Sequence, residues 1–307
     1  MPENTLEDII DKIARGQPES INSYLRTIEH AFELNETQTR FYSHLIAIDG
    51  NGAVRLDDFI DFIIRHIIEY VIPRSRIQDA KAKDQESGMS THTIRLHNEA
   101  RKLFTPLKKT GEGGEMLLFI LGEVLLSLPQ LFCKMSVKTS GGVHFHGADG
   151  IHAGFCDDGK LELYWGESKF HSTFESAISE CLDSIAPILK REDDADYEDL
   201  LLLQTHLDLG NPAHTETIKH ILNKDNEEFN SVKYCGLCLI GFNENLYGPE
   251  TTGEIISQNF EAWKSSICTR LKNRDLHEVN IHLFCMPVIS VEDFRNRFLS
   301  KLGLSNE

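Results

Sequence analysis

"HGADGIHAGFCDDGKLELYWGESKFH", residues 146–171, is the stretch on which the fold turns. It reads as two strands joined by a hairpin turn at "DDGK". The second strand ends oddly. Alternation puts Leu163, Trp165, Glu167 and Lys169 on one face, and burying a carboxylate and an ammonium beside a tryptophan costs on the order of several kcal/mol unless each has a partner. The hairpin supplies one, because it brings Asp149 of the first strand next to Glu167. Two adjacent carboxylates repel unless a cation lies between them. A hard divalent ion, Mg²⁺ or Mn²⁺, takes oxygen ligands, and the Ser168 backbone carbonyl offers a third. Lys169 beside such an ion can orient or help deprotonate a water and stabilise charge on a phosphate.

Spacing alone leaves two readings open. Acid, any residue, lysine is a common tripeptide, and "DAK" (79–81) and "DGK" (158–160) repeat it, one in a polar loop and one in the hairpin turn. Only "ESK" ends a strand with an acid on its hairpin partner, yet an ion pair at a sheet rim would look the same.

The order of elements around the hairpin predicts an α/β layer architecture. "GEGGEMLLFILGEVLLSL" (111–128) is apolar nearly all round and reads as a buried helix. "LFCKMSVKT" (131–139) and "VHFHGADGIHAGFC" (143–156) read as strands, and a Ser/Thr cap opens a helix over 172–189. Later come the strand 233–242, a helix near 253–272, the strand 279–289 and a last helix. Helix, three strands, helix, strand gives a mixed sheet flanked by helices. Before it, 40–48 reads as a strand, 54–72 as one long helix ended by Pro73, and 90–104 as another helix. "INSYLRTIEHAFEL" places Ile21, Tyr24, Leu25, Ile28 and Phe32 at helical spacing, so residues 1–35 read as a helical extension before a domain of 36–307.

Helix acid, then "GAD", then "ESK", in this element order, resembles the PD-(D/E)xK nuclease superfamily. The run "GEGGEMLLFILGE…KMSVKT…HGADGIHAGF…LYWGESKFH" is closer still to the HamA family, the nuclease subunit of the Hachiman anti-phage defence system. The resemblance covers about residues 36 to 300. It matches at 147–149 and 167–169, with "GAD" where the superfamily has proline-aspartate. It implies a restriction-endonuclease-like core and Mg²⁺-dependent cleavage of DNA in the bacterial cytoplasm. It also implies a HamB-type helicase partner that restrains the nuclease. Asp149, Glu167 and the Ser168 carbonyl would hold the metal, and Lys169 would position the water. The resemblance favours Glu115 as the helix acid. Physics makes Glu123, mid-helix among leucines, the odder residue, and eight residues separate the two by about 80° around the helix.

Other constellations carry less. "DGNGAVRLDDF" (49–59) matches the later part of a calcium loop, but its first ligand position would be Ala47, so a strand-to-helix turn is the better reading. Cys235 and Cys238 have zinc spacing, but His277 and His282, the only later pair, lie too far on. His144, His146 and His152 flank Asp149 either as substrate contacts or as plain strand residues. No nucleophile elbow and no phosphate-binding GxxxxGK[ST] occurs, so no ATP site is predicted.

Composition bounds the partners. The 307 residues are 40% apolar and 26% charged, and seven scattered cysteines read as reduced thiols. The most apolar runs are too short or too charged to span a bilayer, so no membrane partner is expected. A net charge of −17 argues against unaided nucleic-acid binding. The charge is uneven, however: 74–110 holds nine Lys or Arg against four Asp or Glu, while 192–199 has six acids in eight. A DNA nuclease gripped and restrained by its helicase is the expectation. A non-catalytic subunit of the same fold that binds and regulates the helicase is the alternative.

Overall fold

The computed structural model describes residues 5–16, 19–105, 111–137, 147–156, 158–192 and 197–304. In chain order these form α1 (Leu6–Ile13), α2 (Glu19–Asn22), β1 (Leu25–Glu33), β2 (Thr39–Ile46), α3 (Leu56–Ile64) and α4 (Ile67–Val71). Next come α5 (Arg74–Ser87), α6 (Thr91–Arg101), α7 (Glu112–Leu125), β3 (Gln130–Cys133), β4 (Gly150–Phe155) and β5 (Leu161–His171). The chain ends with α8 (Phe174–Leu189), α9 (Tyr197–His206), α10 (Pro212–Ile221), β6 (Lys233–Asn243), α11 (Gly253–Lys272), β7 (Ile281–Val288) and α12 (Val291–Lys301).

Seven strands form one mixed sheet in the order β1-β2-β7-β6-β5-β4-β3. The four central strands, β2, β7, β6 and β5, run parallel, and antiparallel β1 on one side and β4 and β3 on the other complete it. Parallel strands are buried on both faces and so read as continuous apolar runs; β7, "IHLFCMPV", is buried at every position. Two apolar cores result. One packs α1, α8, α9, α10 and α11 on one face, and the other packs α3 to α7 and α12 on the opposite face. Among the described residues no helix is long and apolar enough to cross a membrane.

Several expected elements change. The helix expected over residues 21–34 is mostly β1, so the N-terminal extension is helical only in α1 and α2. The reason lies in its pairing with β2: register shifts at Thr27/Glu29 and Glu29/Phe32, with Ala31 at φ 51°, break the alternation. Bulges of this kind space apolar residues unevenly, and here the spacing mimics a helix. The long helix over 54–72 divides into α3 and α4, where His66 N–H turns back onto Ile63 O and its Nδ1 meets Phe62 O. "DAK" at 79–81 lies in α5, not in a loop, a polar helix held between Pro73 and the left-handed Gly88. The strand expected over 131–139 closes at Cys133 and turns into a 3₁₀ helix, Lys134–Val137, while 138–139 and 143–146 lie outside the described residues. The turn at 49–54 is the expected strand-to-helix connection, with Asp49 Oδ1 accepting from the Asn51 and Ala53 N–H groups.

The face of β2 and β7 toward α3 buries two histidines. His44 stacks on Phe284, and His282 Nδ1 lies 2.7 Å from the Tyr42 hydroxyl. Burial, reinforced by His30 for the first and Arg40 for the second, pushes each imidazole from its ordinary 6.5 down to about 4. Unfolded histidines therefore bind protons between pH 6.5 and 4 while these two stay neutral. Their contribution is complete above pH 6.5 and falls as the pH drops toward 4, by up to roughly 3 kcal/mol each. The urea midpoint should fall over that window, and His282→Gln should flatten the fall by about half the histidine share. Equal slopes in parent and variant would refute the assignment.

Candidate metal and phosphodiester site

Among the described residues β4 and β5 pair as far as Gly150 opposite Gly166. Beyond that point, among the same residues, β5 continues to His171 paired with β6. Asp149 occupies the fork. Its N–H donates to Gly166 O, and its Oδ2 accepts the Ser168 N–H, each at 2.8 Å. In an extended strand the N–H and C=O of one residue face the same edge, so the Ser168 carbonyl faces the fork as well. Asp149, Glu167 and Ser168 are all buried, each at 6% exposure, and Glu167 ion-pairs with the Lys169 ammonium.

The four expected site residues share one neighbourhood. Burial works against the Lys169 charge, but the Glu167 carboxylate and then Asp149 outweigh it and hold the ammonium above the usual lysine range. The Tyr70 hydroxyl of α4 lies 3.5 Å from Glu115 Oε2. Burial, then Cys133, then the carboxylates of Glu115 and Asp149 push that phenol well above its ordinary value. Asp149 thus acts on both Lys169 and Tyr70, linking the strand acids to Glu115.

Glu115 reaches this place through glycine. A Cβ on Gly114 would lie 2.6 Å from Ser168 Oγ and 2.8 Å from the Phe170 ring, so only glycine lets the first turn of α7 sit directly on β5. Gly147 is the second such position: its φ is +111°, and a Cβ there would fall 2.1 Å from Asp199 Oδ1. Asp199, buried in the first turn of α9, accepts the Ala148 N–H at 2.9 Å and so fixes the turn that presents Asp149. Sequence reasoning missed Asp199, since it closes an acidic run that reads as a solvated loop.

Glu123 has a different task. Its Oε1 meets Arg15 at 2.8 Å and Arg74 at 3.4 Å, and accepts the Gln130 N–H at 2.9 Å. It ties the segment after α1 and the start of α5 to α7. His152 lies under α7 with Nδ1 2.9 Å from Leu128 O, a strand residue away from any opening; His144 and His146 lie outside the described residues. Cys235 and Cys238 enter opposite cores and cannot share a zinc ion.

Whether the fork suits a divalent cation rests on its donors. Two buried carboxylates and a carbonyl are all hard oxygen, the donor set that Mg²⁺ or Mn²⁺ takes. Among the described residues no group of three or more His, Cys, Asp or Glu side chains is arranged to hold a metal; the fork offers two side chains and one carbonyl.

Two substitutions separate support from site. Asp199→Ala strands the Ala148 N–H and should cost about 1–3 kcal/mol in urea denaturation, most of it recovered by Asp199→Asn, whose amide oxygen still accepts. Glu123→Ala leaves two arginines without their shared carboxylate and should cost about 3–5 kcal/mol. A change below about 0.5 kcal/mol would contradict either role.

No curated protein matches the chain. The HamA family model matches residues 22–302, a span that takes in the whole sheet, the fork and α7. With nearly its full length so matched, the chain belongs to the HamA family of Hachiman defence-system proteins.

Proposed function

We propose that the protein is a metal-dependent deoxyribonuclease of the PD-(D/E)xK type, the effector of its defence system, restrained by a HamB-type helicase. The observation that carries this reading is the fork: Asp149 bound to the Ser168 N–H, with Glu167 and Lys169 paired beside it. A structural ion pair at a sheet rim would not need a second buried carboxylate facing the same lysine.

Asp149, Glu167 and the Ser168 carbonyl would hold Mg²⁺. When bound, that ion makes water nucleophilic near neutral pH and offsets charge developing on a phosphodiester. Glu167 and then Asp149 hold the Lys169 ammonium above the usual lysine range. Its N–H groups can orient a water and steady phosphate oxygen. Glu115, fixed against Tyr70, adds negative charge at the helix end of the site and supports the lysine or the metal. The Asp199 clamp limits how far Asp149 can drift, and small displacements of a positioned group cost large factors in rate.

The charge distribution bears on the partner. A chain of net charge −17 binds DNA weakly alone, so the helicase would supply grip and ATP-driven selection. Tight duplex binding by the isolated protein at physiological salt would remove this account of its restraint.

The test is plasmid degradation with the helicase present. The double variant Glu167→Ala/Lys169→Ala should lose activity by about a hundredfold or more, and Glu115→Ala should lose it while keeping the parental urea midpoint. Undiminished degradation by the double variant would leave the non-catalytic regulatory subunit as the reading that stands.

A further inference from the structure

Away from the fork, α7 also walls a cavity of about 420 Å³. Its floor is apolar, formed by Ile77 of α5 and by Phe119, Ile120 and Val124 of α7. Arg15, Arg74 and Lys81 bring three positive charges to its walls, against the carboxylates of Glu69 and Glu123. Among the described lining residues that leaves one positive charge, with Asp208 acting on Arg74 from outside the lining, in a chain whose net charge is −17.

That excess is built in. Arg15 and Arg74 converge on the single carboxylate of Glu123. Two guanidiniums so close repel, and Arg74 feels both burial and the Arg15 charge, which bring it down to about 10. Glu123 and then Asp208 offset part of that repulsion, and an anion bound in the cavity would offset more. Arg15 also lies over the Phe119 ring at 5.4 Å from its centroid. A flat cation and an aromatic ring at the edge of an apolar floor suit a planar, aromatic body, since guanidinium stacks on such faces. The volume falls within the range of small-molecule sites.

We propose that this cavity binds a small aromatic monophosphate, the chemistry a nucleoside monophosphate presents. The ring lies on the floor beside Phe119, and the phosphate sits among Arg15, Arg74 and Lys81. Three cationic side chains suit the charge of about −2 on one phosphate better than that of three, in keeping with the missing ATP loop. The site is independent of the nuclease reading and lies on the same helix as it: Glu115 stands in the first turn of α7 and Glu123 in its last.

The experiment uses the full chain in EDTA, so that a metal at the fork cannot recruit the ligand. Thermal melts and titration calorimetry are run with adenosine monophosphate, guanosine monophosphate, adenosine and inorganic phosphate. A monophosphate well above its Kd should raise Tm by about 2–5 °C, and adenosine or phosphate alone by less than about 1 °C. Lys81 is exposed, so Lys81→Glu leaves the fold intact and should weaken binding about tenfold. Arg15→Lys keeps the charge and removes the planar surface, and should weaken it about threefold. The proposal fails if neither monophosphate binds up to roughly 10 mM. It fails equally if inorganic phosphate gives the same shift, or if Lys81→Glu binds as the parent does.

Discussion

The hydrogen bond from the Ser168 N–H to Asp149 Oδ2 occupies the place where a ladder bond would be if β4 continued. By accepting that N–H, Asp149 satisfies the edge of β5 just past the pairing of Gly150 with Gly166. The turn that presents Asp149 needs glycine at 147, because the backbone there is left-handed and Asp199 fills the space a Cβ would take. The outcome is two buried carboxylates, Asp149 and Glu167, at the end of the β4–β5 pairing. Without the Asp149 side chain the Ser168 N–H would forfeit its hydration unmet.

α7 joins this fork to the rest of the molecule. Its glycine-rich first turn approaches β5 closely enough to set Glu115 against Tyr70, while its last turn carries Glu123 into the arginine pair. Glu115 meets the Tyr70 hydroxyl, and Glu123 two arginines. The same residue type therefore serves opposite ends of one helix, and what distinguishes them is what packs against each. The helix also divides the cationic cavity from the fork, so the two lie on one rigid element.

Much of this was legible in the residues. The period-two run from Leu161 to His171 marks β5 to the residue, and the hairpin places Asp149 beside it. The apolar runs at 233–242 and 279–289 read as buried strands because parallel strands covered on both faces have no polar alternation. β1 misled for a physical reason: its bulges broke the alternation. α5 was hidden because an exposed helix with two buried side chains, Ile77 and Ala80, carries almost no stripe. Asp199 was invisible for want of any local signal, since its partner lies 51 residues away.

The sequence by itself determined the pairing of acids and lysine on the β4–β5 hairpin, because strand alternation and a tight turn are local and leave little freedom. It also determined that the central strands are buried. Only the tertiary structure decided which groups each glutamate of α7 meets. Eight residues of helix present both, and the difference lies in what packs against each: Tyr70 beside Glu115, and Arg15 with Arg74 around Glu123, contacts 45, 108 and 49 residues apart along the chain. Periodicity states which face a side chain occupies. Which charges meet it there depends on how distant segments fold over it.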